Sequence, residues 1–299
     1  RRGMAGFRGL RMGTRMRSML RGRAQARSEP RVFKPNAVAT RLLAFWATAA
    51  DLVHHAMHPP TVLRAVEYNT RIPASADAPE LLAFVAKPKK RADGSLPILV
   101  LIHEFYGLNP SITEKATVLA DELGCLVIAP DTFRGQSTTF IPKAIWLTLT
   151  TPQERVNDDL DRILEWAAKE DEVDPVTSKV AVMGFCYGGG KAIRYTTQRK
   201  PSAATVVCYG SPVTSVAALA ELQAPVCGVF GSEDFQFPPS TLDAFRKGLT
   251  EAGVDNDVRV YDGVGHAFLS DLELVRRGEE PQAAAWAHCT DFLRSFYSS

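Results

Sequence analysis

Short runs of apolar, largely β-branched residues alternate along this chain with longer stretches whose apolar positions recur every three to four residues. The pattern predicts an opening pair of strands at 63–69 and 81–86, the second closed by Lys87-Pro88. Six more strands are predicted at 98–103, 126–130, 180–184, 205–209, 226–230 and 258–261, with helices at 111–123, 152–170, 189–198, 239–252 and 283–296. Strand and helix alternating over most of the chain demand a mostly parallel central sheet with helices on both faces. Reactive residues in such a sheet gather at the carboxyl ends of the strands.

One strand end is unusual. The run Val180-Ala181-Val182-Met183 leads into Gly184-Phe185-Cys186-Tyr187-Gly188-Gly189-Gly190 and then into a helix-forming segment. Strand, glycine, one reactive side chain, glycine, helix is the layout of a nucleophile elbow, with cysteine where serine is commonest. So sharp a turn strains the nucleophile's backbone and leaves no room for bulk beside it. It also sets the thiol at a helix N-terminus, where the dipole favours thiolate. A buried cysteine in a glycine-rich turn is the plain alternative.

Later strand ends supply the partners in the order nucleophile, acid, histidine. The run 225–230 ends in Gly231-Ser232-Glu233-Asp234, and the run 258–261 ends in Asp262-Gly263-Val264-Gly265-His266. Asp234 is preferred to Glu233 because the apolar, proline-rich residues 235–239 behind it would anchor its loop. The remaining downstream histidine, His288, lies in an alanine-rich helical stretch rather than at a strand end.

With these residues in place, the chain resembles the dienelactone hydrolase (carboxymethylenebutenolidase) family of α/β-hydrolases over roughly residues 63–296. The likeness is carried by the cysteine elbow, by His103-Glu104-Phe105-Tyr106-Gly107, by Ala129-Pro130-Asp131-Thr132-Phe133-Arg134-Gly135, and by the Asp234 and His266 motifs. It implies the α/β-hydrolase fold, Cys186 as nucleophile, His266 as base, Asp234 as its orienting acid, and Glu104 as partner of the resting thiol. The N–H groups of Phe105 and Tyr187 would form the oxyanion hole, Arg134 would clamp a substrate carboxylate, and Tyr209 would join it in binding substrate. Some members place the arginine one residue later and have serine where this chain has Ala267. The reaction so implied is hydrolysis of small carboxylate-bearing enol lactones or activated esters through a thioester, with no cofactor.

Composition adds detail. The 299 residues and 45% hydrophobic content suffice for one such domain at about 61–299 plus extra sequence. Five cysteines without disulfide-like spacing fit a reducing compartment, and Cys125, Cys208 and Cys227 fall in apolar runs as core thiols. Neither CxxC pairs nor a corroborated histidine cluster suggest a metal; His54, His55 and His58 are followed at once by two prolines.

The N-terminus differs from the rest. Residues 1–35 hold nine arginines by Arg27 and no acid before Glu29, with Met12, Met16, Met19 and Leu20 on one helical face beside Arg8, Arg11 and Arg15. The whole chain is +2 and the first 27 residues contribute +9, leaving the body at −7. An organellar targeting segment is therefore expected, mitochondrial rather than plastid because serine is scarce, with a cytoplasmic protein as the alternative. The acidic body offers no continuing basic surface for nucleic acid. Residues 36–60 form an apolar helical extension, too interrupted to span a bilayer and ended by Pro59-Pro60, which could dock a protein partner. Two other functions compete with hydrolysis: a non-catalytic α/β-hydrolase-fold subunit of an organellar assembly, and a redox role for Cys186, which has no resolving cysteine beside it.

Overall fold

The computed structural model describes residues 68–74, 78–90 and 94–299. The arginine-rich segment 1–35, the 36–60 extension with its three histidines, and most of the predicted strand 63–69 lie outside them.

Eight strands form one sheet in the order β1-β2-β4-β3-β5-β6-β7-β8. In sequence they are β1 (Thr70–Ile72), β2 (Leu81–Ala86), β3 (Ile98–Ile102), β4 (Leu126–Pro130), β5 (Val180–Phe185), β6 (Ala204–Cys208), β7 (Val226–Gly231) and β8 (Asn256–Tyr261). The pairs β1–β2 and β2–β4 are antiparallel; every other neighbouring pair, from β4 across to β8, is parallel. Ladder pairing in β1 begins at Thr70, later than the pattern 63–69 suggests. At Asn69 the side-chain amide replaces it, donating to the Val85 carbonyl and accepting from the Val85 N–H, both at 2.7 Å.

The helices are α1 (Pro110–Leu123), α2 (Ile141–Thr150), α3 (Gln153–Ala167), α4 (Tyr187–Gln198), α5 (Val216–Leu219), α6 (Pro239–Glu251), α7 (Leu272–Arg276) and α8 (Gln282–Ser298). The short α5 and α7 escape periodicity because a single turn shows no stripe. Successive strand side chains point to opposite faces, and the core divides accordingly. Leu99 and Leu101 of β3 pack with Ile112, Leu119, Trp286 and Leu293 from α1 and α8. Ile98, Val100 and Ile102 face the other way, onto Val156, Leu160 and Ile163 of α3 and Ala192 and Tyr195 of α4. Helix α6 covers β6 and β7 on that second face through Leu242, Phe245 and Leu249. Burial on both faces explains why β3 to β7 read as continuous apolar runs.

Candidate active site

Strand register brings the chemistry together. In the β3–β5 pair Ile102 stands opposite Gly184, so Phe105 and Tyr187, each three residues further on, emerge side by side. Phe185 is paired with Cys208, which sets Cys186 beside Tyr209, and the Cys186 N–H donates to the Cys208 carbonyl at 2.9 Å. Gly231 is paired with Tyr261, so the loops carrying Asp234 and His266 leave neighbouring strands. The Glu233 N–H then donates to the Val264 carbonyl at 3.0 Å and ties the two loops together.

Cys186 turns from β5 into α4 at φ 52° and ψ −115°, a conformation costly for any residue with a Cβ. The turn closes because of its glycines. A Cβ on Gly184 would collide with the Gly188 carbonyl, and one on Gly188 with the Ile102 carbonyl of β3. The candidates Arg134 and Tyr209, and Ala267 next to His266, also have positive φ, at 53°, 39° and 59°. Backbone strain is thus concentrated where the strands end.

His266 and Asp234 are both buried, with His266 Nδ1 at 2.8 Å from Asp234 Oδ2. A carboxylate can only accept here, so Nδ1 carries the proton and Nε2 the lone pair that a general base needs. The Gln236 N–H holds the other carboxylate oxygen, Oδ1, at 2.9 Å. Glu233 is exposed, so burial separates the two acids that the sequence left as rivals. Within the run 235–239 the anchor is Phe237, which packs against Phe230 and His266 at ring distances of 6.0 and 6.1 Å, whereas Phe235 is 88% exposed.

Glu104 lies buried after β3, and the Tyr209 hydroxyl donates to its Oε1 at 2.9 Å. Burial, then the nearby Glu104 charge, pushes the Tyr209 phenol well above its ordinary pKa, so it remains a donor. His103 braces the same loop. Its Nδ1 donates to the Glu104 carbonyl at 2.7 Å, which leaves Nε2 to accept from the Thr132 hydroxyl at 2.8 Å. Burial lowers the pKa of this imidazole and keeps it neutral.

Cys186, His266, Phe105, Tyr187 and Tyr209 line one cavity of about 250 Å³. Arg134, expected as the carboxylate clamp, does not line it. Its Nη2 donates to the buried Asp159 carboxylate at 2.8 Å, a partner on α3 that no local motif announces. The cations in the cavity wall are instead Lys191 and Arg194 of α4, accompanied by Gln153, Ser211 and Gln236. The signal for them was present: two cations three residues apart on the helix that the nucleophile begins. Helix α2 adds Thr148 to the lining. Its Ala144 packs against Phe105 and Tyr106, while Trp146 is 56% exposed.

The other histidine and thiols stand apart from this cavity. His288 of α8 is buried between Tyr261 and Cys227 and 3.1 Å from the Asp257 carboxylate. Cys125, Cys208, Cys227 and Cys289 are buried free thiols, and burial pushes Cys125 up to about 12. Among the described residues no three His, Cys, Asp or Glu side chains are placed to hold a metal ion. No helix of these residues is long and apolar enough to cross a membrane.

Comparison with known proteins gives one answer. The sequence profile of the dienelactone hydrolase family matches residues 81–297. A candidate carboxymethylenebutenolidase of Salmonella typhimurium is 31% identical over 216 residues, which is 68% of this chain and 77% of that protein. One from Yersinia pestis is 30% identical over 238 residues, 75% of this chain and 86% of its own length. The crystal structure of a candidate dienelactone hydrolase from Klebsiella pneumoniae superposes with a TM-score of 0.64 at 29% identity, covering 75% of this chain and 96% of that one.

Proposed function

Because the chain belongs to the dienelactone hydrolase family, we propose that it hydrolyses small, carboxylate-bearing enol lactones or activated esters with Cys186 as nucleophile. One observation carries the reading. A cysteine on a strained turn at the head of α4 shares its cavity with a histidine whose Nδ1 is fixed by a buried aspartate. That is the arrangement of an activated nucleophile, its base and the base's orienting group.

In this reading His266 Nε2 takes the thiol proton and Cys186 Sγ adds to the substrate carbonyl carbon. The carbonyl π pair moves to oxygen, where the Phe105 and Tyr187 N–H groups meet it; one such donor contributes about 3–4 kcal/mol. Collapse expels the alkoxide or enolate, which receives the proton from His266, and leaves a thioester on Cys186. Water, deprotonated by His266, adds to the thioester, and collapse returns the thiol and a carboxylic acid. Glu104, held by Tyr209, serves as partner of the resting thiol until substrate enters. Thiolate is itself a good leaving group, so the first adduct tends to revert. Enol lactones and aryl esters overcome this because their own leaving groups stabilise negative charge; amides do not.

The test is turnover of aryl esters and enol lactones before and after treatment with a thiol alkylator, with mass mapping of the modified residue. Loss of turnover on modification of Cys186, and an inactive Cys186→Ala, are expected. Full turnover by Cys186→Ala would remove the proposal.

A further inference from the structure

The cavity wall contains two cations, Lys191 and Arg194, and among the described residues no aspartate or glutamate. Neither cation is neutralised by a described carboxylate. Lys191 Nζ donates to the Thr151 carbonyl at 2.9 Å. Arg194 Nη1 donates to the carbonyls of Gly190 and Ser211 at 2.8 and 2.7 Å, and Nη2 reaches the Ser211 hydroxyl at 3.3 Å. Elsewhere in the fold arginines do find acids, as Arg134 finds Asp159 and Arg199 finds Glu154. Two half-buried like charges at i and i+3 on one helix oppose folding unless something anionic joins them.

The backbone is shaped around this pair. Gly184 and Gly188 are needed by the elbow, but Gly190 is not. A Cβ there would stand 3.3 Å from the Ser211 Cβ, tighter than side chains normally pack, and 3.4 Å from Arg194 Nη1, an ordinary contact. The third glycine of the run lets Ser211 lie close against α4, and the guanidinium folds back along the helix to bond the carbonyls of both residues. It comes to rest at the level of Gly190, one helical turn or about 6 Å beyond Cys186. The Ser211 hydroxyl accepts from Arg194 and keeps its own hydrogen to give. Gln236 Nε2, a buried donor in the same lining, has no partner among the described residues.

We infer that Arg194 and Lys191, with Ser211, form the anion subsite of this cavity and set the preference for substrates bearing a carboxylate a short chain or one ring away from the scissile carbonyl. The inference rests on the reading of Cys186 as nucleophile. The guanidinium fork suits a planar carboxylate, and Lys191 supplies a second, pointlike charge beside it. Arg134 has no part in this subsite, since its guanidinium is committed to Asp159.

The experiment compares two carboxylate esters, 4-carboxyphenyl acetate and an aryl half-ester of adipate, with their neutral methyl-ester counterparts. The pairs have similar leaving groups and differ in one charge. Arg194→Met and Lys191→Met should each lower kcat/KM for at least one charged ester by roughly 10- to 150-fold, the loss of one charge-assisted contact. The neutral counterparts should change by no more than about threefold, the effect of an exposed or neutral contact. Arg194→Lys should recover part of the loss, and Arg134→Met should leave the charged-to-neutral ratio unaltered. Arg194 also braces the Ser211 loop, so Lys191→Met serves if Arg194→Met fails to fold. A binding arm separates this claim from the nucleophile assignment: calorimetric affinity of Cys186→Ala for the charged ester should fall on adding Arg194→Met or Lys191→Met, and an unchanged affinity would overturn the subsite. Equal losses on charged and neutral esters, or none on either charged ester, would overturn the subsite. Continued turnover by Cys186→Ala would overturn the nucleophile instead.

Discussion

The Tyr209 hydroxyl lies 2.9 Å from Glu104 Oε1, joining the end of β6 to the loop after β3 across the strand that carries Cys186. The same ring meets His266 edge-on, with centroids 5.2 Å apart. One tyrosine therefore orients the buried carboxylate and supports the imidazole. It lines the cavity as expected of a substrate-binding residue, but its hydroxyl is already engaged.

Tyr209→Phe keeps the ring and deprives Glu104 of a buried donor. Loss of a hydrogen bond to a charged, buried group costs about 1–3 kcal/mol. For a domain of this size that lowers Tm by roughly 2–12 °C. A thermal melt unchanged by the substitution would show that the contact contributes nothing.

Asp234→Asn should reverse the imidazole tautomer, because an amide can donate to Nδ1 and leave the proton on Nε2. The same aspartate-to-asparagine change in a serine-protease triad costs about 10⁴ in kcat, and a fall of roughly 10²- to 10⁴-fold is expected here. Glu233→Ala, on an exposed side chain, should stay within about twofold. Steady-state kinetics on a neutral aryl ester decides between the acids, and the opposite ranking would reassign the orienting residue.

Burial, then the charges of Arg194 and Arg155, lowers the Lys191 pKa to about 8. Its charge is present below that value and disappears as pH rises through it. The ratio of kcat/KM for a charged ester to that for its neutral counterpart should therefore fall above about pH 8. Any pH effect that the two esters share cancels in the ratio. Lys191→Met should give a flat ratio across pH 6–10, probing about two units either side of that pKa; a wild-type ratio that is itself flat would exclude Lys191 from recognition.

Cys186 holds a backbone conformation, φ 52° and ψ −115°, that glycine tolerates far better. Such strain costs about 1–3 kcal/mol. Cys186→Gly should melt at or above the wild-type temperature while losing ester turnover. Cys227→Ala, which empties packed space in the core, should melt lower and keep its activity. Calorimetric scans of the two variants, run with activity assays, check both halves.

The elbow, the strand ends bearing Asp234 and His266, and the alternation that makes the sheet parallel are all legible along the chain. Each is a local pattern: glycine spacing beside one nucleophile, short apolar runs, a loop after a strand. Local pattern also exposes the cost of the turn at Cys186, since only glycines fit around it. The partners of long side chains are another matter. Arg134 sits in a family-like loop, yet its guanidinium goes to Asp159, 25 residues on, because α3 packs beneath that loop. Arg194 has an ordinary helical position in sequence, and it is the carbonyls of Gly190 and Ser211, from two different elements, that hold its guanidinium at the cavity. Tyr209 follows a plain apolar strand, and register alone sets it beside Cys186 and under Glu104. A strand or a turn is decided by neighbours a few residues away. A charge finds its partner through packing between elements far apart in the chain, where a single rotamer decides whether a guanidinium meets a carboxylate or a cavity.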